Sequence, residues 1–400
     1  MEGTDRDPLR VLFACVPQPG HLLPLLPLAS AFAARGDEVV VATGPAGADV
    51  VHDHGLAYRG VCPDLDEWFG RLAGRTRGGP GDGLAVDRVE RYFVPRLFAE
   101  IGLDLMLDGL DALASELRPD LLIFEPYALA APLVAARHGI APVQHGIGLP
   151  VDPLVVELTS DAVTPAWRAA GLDTPHAAGL YDGASLSVCP PGLQPGQPAG
   201  PGPALSLRPT PLPDRGAPLP VALPHPDRPL VYVTLGTFSN ANLPLFRLIL
   251  AALEDLPVSV LVTLGRDSDP ADLGAIPSNA TATTFVPQAA LLPHCAAVVH
   301  HAGAGTTFGV LAHGLPAVVL PQSADNFSLA DRLSAVGAAT RLLPDEVTED
   351  AVRAATRAAL SDPARRRVPE ALAEEIAAMP GPAEVVDRLR LSGSRGRVTP

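Results

Sequence analysis

No lysine occurs in the 400 residues, so every one of the 29 positive side chains outside histidine is an arginine. Against 44 acidic residues this leaves a formal net charge of -15. Such a chain has no diffuse basic field to gather phosphates, which argues against a nucleic-acid partner. An anionic ligand must then be held by local dipoles and a few placed residues. Aromatic residues are scarce at 4%, so the core has to be built from Ala, Leu and Val. The four cysteines (Cys15, Cys62, Cys189, Cys295) are scattered with no C-x-x-C pair. That spacing suits reduced thiols in a cytosolic protein better than a disulfide framework or a zinc site, and no metal is expected. No apolar run reaches membrane-spanning length, and residues 1–10 carry no visible secretory pattern. The expectation is a soluble cytoplasmic protein without stable membrane insertion.

The chain has 47% hydrophobic and 18% charged residues, a globular balance, and its length favours two domains. Short apolar β-branched runs alternate with helical patterns. Residues 10–16 read as a buried strand, broken by Pro17-Gln18-Pro19-Gly20-His21 and followed by a helix over 22–35. Strands follow at 38–43 and 57–61, and 62–87, rich in Gly and Arg, reads as a long surface loop. Residues 88–117 read as one long helix, 119–126 as a strand ending on Glu125, and 141–145 as a further strand. Of 151–186, only 163–170 reads as helical. The rhythm restarts at 230 with strands at 230–235, 258–264, 282–286, 296–300, 317–320 and 339–342. Alternation of this kind implies doubly wound parallel sheets. The fold expected is therefore α/β, with two Rossmann-like domains facing across a cleft. The first covers 1–212, a proline-rich linker 213–229, the second domain 230–379, and a terminal helix with its tail 380–400.

One stretch organises the rest. Val298-Val299-His300-His301-Ala302-Gly303-Ala304-Gly305-Thr306-Thr307 reads as a buried strand, a tight turn and a helix start. The first N–H groups of such a helix lack intrahelical partners and carry the positive end of its dipole. Glycines let a large anion approach the backbone, and Thr306 can cap the helix or bond a phosphate oxygen. An ordinary strand–helix turn would look much the same; the histidine pair and the flanking sequence favour the anion site.

Several ordered motifs then carry a family resemblance. They are Phe285-Val286-Pro287-Gln288, His301-Ala302-Gly303-Ala304-Gly305-Thr306-Thr307, His313-Gly314-Leu315-Pro316 and Pro321-Gln322-Ser323-Ala324-Asp325-Asn326. Thr234-Leu235-Gly236-Thr237 and Pro19-Gly20-His21 lie outside that region. Together they resemble the nucleotide-diphospho-sugar glycosyltransferases of family 1 with the two-domain GT-B fold, in particular the actinobacterial natural-product enzymes. The resemblance implies an inverting, metal-independent transfer of a (deoxy)sugar from a dTDP- or UDP-sugar to a hydroxyl of a hydrophobic natural product. The nucleotide sugar is a co-substrate and no cofactor is implied; a homodimer is left open.

Residue by residue, the resemblance gives His301, Gly303, Gly305 and Thr306 the donor diphosphate, with His301 as a charged partner. Thr237 adds a hydroxyl to it. Phe285 and Val286 take the base, with Arg266 as a second face, and Asp325 and Asn326 bond sugar hydroxyls. His21 is the general base and Glu125 its orienting carboxylate. Imidazole suits that task because its ordinary pKa lies near the working pH. Three departures matter. Asn326 stands where the family often has Gln, and Glu125 where the usual partner is Asp. Gly309 stands where related plant enzymes carry a Glu that grips both ribose hydroxyls, which points to a 2′-deoxyribose donor. His300, if the strand alternates, faces away from His301 and is structural. Plainer readings stand beside these: His21 packing its turn, Glu125 solvated, Thr237 a cap, Arg266 a surface charge. His145, Tyr127, Trp68 and Phe93 line an acceptor pocket or merely pack. Two rival functions remain, a sugar-nucleotide epimerase of the same fold and a catalytically silent nucleotide-binding homologue.

Overall fold

The computed structural model describes residues 7–75, 86–173, 175–196, 200–211, 222–236, 242–265, 268–323 and 325–393. Two compact units emerge. The first gathers the described residues of Met1–Val188, Gly196–Thr210 and Pro380–Pro400, the second those of Cys189–Pro195 and Pro211–Met379. Of the stretch expected as a linker, 213–229, residues 213–221 lie outside the described residues.

The first unit holds a seven-stranded sheet of β1 (Arg10–Ala14), β2 (Glu38–Thr43), β3 (Ala57–Gly60), β4 (Leu121–Phe124), β5 (Ala141–His145), β6 (Ala184–Ser187) and β7 (Ala204–Ser206). Its spatial order is β3-β2-β1-β4-β5-β6-β7, and every pairing is parallel. The second unit has six parallel strands: β8 (Leu230–Thr234), β9 (Ser259–Thr263), β10 (Ala280–Thr283), β11 (Cys295–His300), β12 (Ala317–Val319) and β13 (Ala339–Arg341). Their order is β10-β9-β8-β11-β12-β13. Both sheets reverse direction of winding between their first and fourth strands. The crevice outside the carboxyl ends of those two strands is where such sheets bind ligands. The central strands read as unbroken apolar runs because helices cover both faces; Leu12, Phe13, Ile123, Phe124, Val233 and Val299 are fully buried.

Four local readings change. The break at Pro19 is instead a helix start: Pro19–Leu22 is the first turn, followed by a 3-10 turn and the helix Leu26–Ala34. Proline is tolerated there because the missing N–H would have no intrahelical acceptor. His21 therefore sits inside a helical turn, its N–H donating to Gln18 O at 3.0 Å. The loop read over 62–87 contains the helix Leu65–Arg75. Trp68 and Leu72, one turn apart, are both buried in the unit's core, and a Cβ on Gly102 would overlap the indole. Residues 88–117 are helical throughout, but Val94–Gly102 winds as a nine-residue π-helix, a form common at functional sites. The helix read at 163–170 begins much earlier, as Pro153–Ala169, with Asp152 Oδ1 accepting the Leu154 N–H at its start.

The helix Pro382–Gly393 belongs to the first unit and packs on Leu26–Ala34. Arg35 pairs with Asp387 at 2.7 Å, and Arg390 pairs with Asp37, whose buried carboxylate also accepts the Leu9 N–H.

Candidate active site

In the first unit the site forms where β1 and β4 end. Glu125 follows β4 directly and is fully buried. Its Oε1 accepts the Val16 N–H at 3.0 Å and its Oε2 the Tyr127 N–H at 2.8 Å. A carboxylate held at both oxygens by backbone donors keeps one orientation. His21 Nδ1 lies 3.1 Å from Oε2. The contact is a close approach of the ring nitrogen to the carboxylate and not an aligned hydrogen bond. The solvated reading of Glu125 is therefore excluded, and its extra methylene relative to Asp is taken up by the backbone clamp.

Aromatic rings fix the imidazole from the side. Tyr127 meets it edge-on at 5.4 Å, Phe98 lies 6.0 Å away, and these two rings are 5.0 Å apart. Phe98 projects from the π-helix, which has no signature in the sequence pattern; nothing in the sequence singles this residue out. Trp68 is a core residue, its Nε1 donating to Pro63 O. Phe93 is half-buried against Tyr92. His145, at the end of β5, is fully buried with Nδ1 against Gly146 O at 2.8 Å. Burial pushes its pKa down to about 4.

In the second unit the site forms where β8 and β11 end. The helix Ala304–Ala312 begins after Gly303 with no side-chain cap, so its first N–H groups are open to a ligand. Gly303, Gly305 and Thr306 stand in this turn. Thr306 Oγ1 accepts from Gln288 Nε2 at 3.1 Å, which leaves the hydroxyl proton available for an anion. Gln288 also reaches Tyr232 OH at 3.4 Å, which is bonded to Thr263 Oγ1. The motif around Gln288 is visible in the sequence, its bridging role is not.

The His301 ring lies against Gly236 and Gly303: a Cβ at either position would overlap it. Gly236 also has φ +77, backbone that favours glycine. Burial pushes His301 down to about 4, with a partial offset from the Thr234 backbone. Its Nδ1 has no aligned partner among the described residues. The expected charged partner is thus, in the ligand-free protein at neutral pH, a neutral imidazole that contributes one N–H donor. His300 is buried, as its alternation predicts, and burial next to His301 pushes it to about 3.

Phe285 is 44% exposed while Val286 is buried at 1%, so an aromatic face beside a fixed backbone is open to a base. Asp325 is exposed; Asn326 is buried, its Nδ2 3.4 Å from Asp325 Oδ1 and its own Oδ1 without a partner among the described residues. Thr237 and Arg266 lie outside the described residues. All four cysteines are free. Burial drives Cys62, Cys189 and Cys295 up to about 12 and Cys15 higher still, so none is a thiolate at neutral pH. Among the described residues no helix is long and apolar enough to cross a membrane.

Residues 87–197 and 247–391 match the N-terminal and C-terminal domain families of the erythromycin biosynthesis protein CIII-like proteins. The L-demethylnoviosyl transferase of Streptomyces niveus is 34% identical over 391 residues, covering 95% of this chain and 97% of the relative. The elloramycin glycosyltransferase ElmGT of Streptomyces olivaceus is 32% identical over 397 residues, covering 95% and 97%. Among solved structures, the Streptomyces sp. SF2575 glycosyltransferase SsfS6 complexed with thymidine diphosphate matches with a TM-score of 0.76 and 27% identity, covering 96% of this chain and 99% of that one. With its two parallel-sheet units and these relatives, the chain belongs to the GT-B-fold, family 1 glycosyltransferases of actinobacterial natural-product biosynthesis.

Proposed function

We propose that the protein transfers a (deoxy)sugar, with inversion and without a metal, from a dTDP-sugar to a hydroxyl of a hydrophobic natural product. His21 is the general base, and the donor diphosphate sits at Gly303, Gly305, Thr306 and His301. The observation that carries this reading is the His21–Glu125 pair: a histidine 3.1 Å from a fully buried carboxylate that two backbone N–H groups hold in place. Facing Glu125 through Nδ1, the imidazole presents Nε2 to the acceptor. As the hydroxyl oxygen bonds to the anomeric carbon, its proton passes to Nε2 and the bond from that carbon to the diphosphate oxygen breaks. The carboxylate stabilises the imidazolium. The open helix start, the Thr306 hydroxyl and the His301 N–H meet the charge growing on the leaving diphosphate.

Phe285 and Val286 are the base seat in this reading, Asp325 and Asn326 the sugar contacts, and Thr237 and Arg266 further donor contacts. A deoxyribose donor is supported by Gly309, which offers nothing to a 2′-hydroxyl and whose added Cβ would meet Leu292 Cδ1 at 3.0 Å. SsfS6 holds thymidine diphosphate in its crystal. The acceptors in the relatives' names suggest a polyketide hydroxyl.

The test is turnover of matched dTDP- and UDP-sugars on such acceptors, with EDTA present and product configuration read by NMR. We expect faster turnover with dTDP, an inverted anomer, and a fall of about 10²–10⁴-fold in kcat for His21→Ala with dTDP binding retained. Transfer undiminished in His21→Ala would overturn the base; a UDP-sugar turned over as well as its dTDP counterpart would overturn the donor choice.

A further inference from the structure

The residue before the diphosphate seat carries a feature that neither the seat nor the base explains. Ala302 is buried and has φ +67, a left-handed backbone uncommon for a residue with a Cβ. It is one of only four such residues besides glycine among the described residues. A chain must pay some local cost to hold alanine there, and something has to hold it. The Ala302 N–H donates to Nδ1 of His300 at 3.1 Å. His300 itself ends β11, pinned by the Leu320 N–H on its carbonyl at 2.8 Å. The ring is thus a side-chain bracket on a fixed strand end. It grips the amide of the residue just before Gly303, where the chain turns to start the helix Ala304–Ala312. For Nδ1 to accept, the imidazole must be neutral with its proton on Nε2. Complete burial keeps it neutral, since charging the ring there is costly.

We propose that His300 is a positioning residue for the donor diphosphate: by accepting the Ala302 N–H it fixes a left-handed alanine and so aims the first N–H groups of the helix Ala304–Ala312 at the ligand. It touches no reacting atom. The assignment rests on the donor reading given above, and it goes beyond it by giving a role to the histidine that faces away from the ligand. The seat then has two histidines of opposite duty. His301, packed on Gly236 and Gly303, faces the anion, and His300 shapes the backbone that receives it.

The experiment compares binding of dTDP with binding of thymidine, which keeps the base and sugar but lacks the diphosphate, by calorimetry. His300→Phe fills the same volume without an acceptor and leaves a buried N–H unpaired. We expect dTDP affinity to fall roughly tenfold or more while thymidine affinity stays within about twofold. His300→Asn, whose Oδ1 can stand where Nδ1 does, should recover most of the loss. Ala302→Gly in the His300→Phe background should recover part of it, because glycine adopts the left-handed turn without a bracket. Independently of any variant, the N–H···N bond predicts a through-bond ¹⁵N–¹⁵N coupling between the Ala302 amide and His300 Nδ1 in the wild-type protein. Equal losses for dTDP and thymidine, no loss of dTDP affinity in His300→Phe, or absence of that coupling would each overturn the assignment. Failure of the wild-type protein to bind any nucleoside diphosphate, with the coupling present, would instead overturn the donor reading on which it rests.

Discussion

The two units place their functional groups at equivalent points of similar sheets, yet they build them in opposite ways. The proposed donor seat of the second unit is assembled largely locally, from residues 300–307 at the end of β11, with Gly303 and the more distant Gly236 making room for His301. The base site of the first unit is assembled at long range. Glu125 reaches back across 109 residues of sequence to the Val16 amide, and His21 meets it from a helical turn after β1. A local seat depends on backbone shape, and a long-range pair depends on a few fixed atoms. Substitutions should therefore damage the two sites differently, the first unit through kcat and the second through donor binding.

The largest effect that sharpens this contrast is expected at Glu125. Glu125→Gln keeps the volume but replaces an acceptor oxygen by an NH2 group, which meets either a backbone N–H or the imidazole. We expect kcat to fall about a hundredfold, less than for His21→Ala, because the base remains but loses its orientation and counter-charge. One unpaired buried donor should also lower stability by about 1–3 kcal/mol. Affinity for dTDP, measured by calorimetry, should stay within twofold. A dTDP affinity that falls in step with kcat would break the division between the units.

Next comes Gly303→Ala. The added Cβ would overlap the His301 ring, a half-buried side chain that Gly236 hems in on another side and that has little room to yield. About tenfold weaker dTDP binding is expected, with kcat at saturating donor little changed. Gly305→Ala, two residues on, has nothing within 4 Å of its new Cβ and serves as the control. If both substitutions weaken binding alike, the loss comes from crowding the ligand and not from the His301 packing.

The same contrast governs what could be read from the sequence. The strand–turn–helix around His301 was legible because its chemistry is written in adjacent residues with strong local preferences. The order of apolar runs likewise gave two parallel sheets. The helix Leu65–Arg75 was not legible, since its glycines and arginines resemble a loop and only the Trp68–Leu72 spacing, satisfied by the distant Gly102, commits it to the core. Phe98 was invisible because a π-helical stretch shifts which face a residue presents, and hydrophobic periodicity carries no mark of that shift. The resting state of His301 was hidden for a related reason: residue type suggests a cation beside a phosphate, whereas desolvation holds the ring neutral in the ligand-free protein.

That protonation state supplies the smallest and most selective test. His145 in the first unit and His300 and His301 in the second are held neutral, at about 4, about 3 and about 4. In an unfolded chain each titrates near 6.5. Between the two values the unfolded state binds more protons, so stability is full above about pH 6.5 and falls as the pH drops toward 4. With two such groups against one, the second unit should lose stability about twice as steeply, roughly 3 against 1.4 kcal/mol per pH unit near pH 5. Hydrogen exchange of amides in β8 and β11 against those in β1 and β4, corrected for intrinsic rates, reads the two units separately. Equal slopes would mean that His301 is charged in the folded protein. Saturating dTDP should flatten the second slope, because a bound diphosphate favours the imidazolium of His301 and brings its folded pKa back toward the unfolded one. The slope of the first unit, where no diphosphate is bound, should stay as it was.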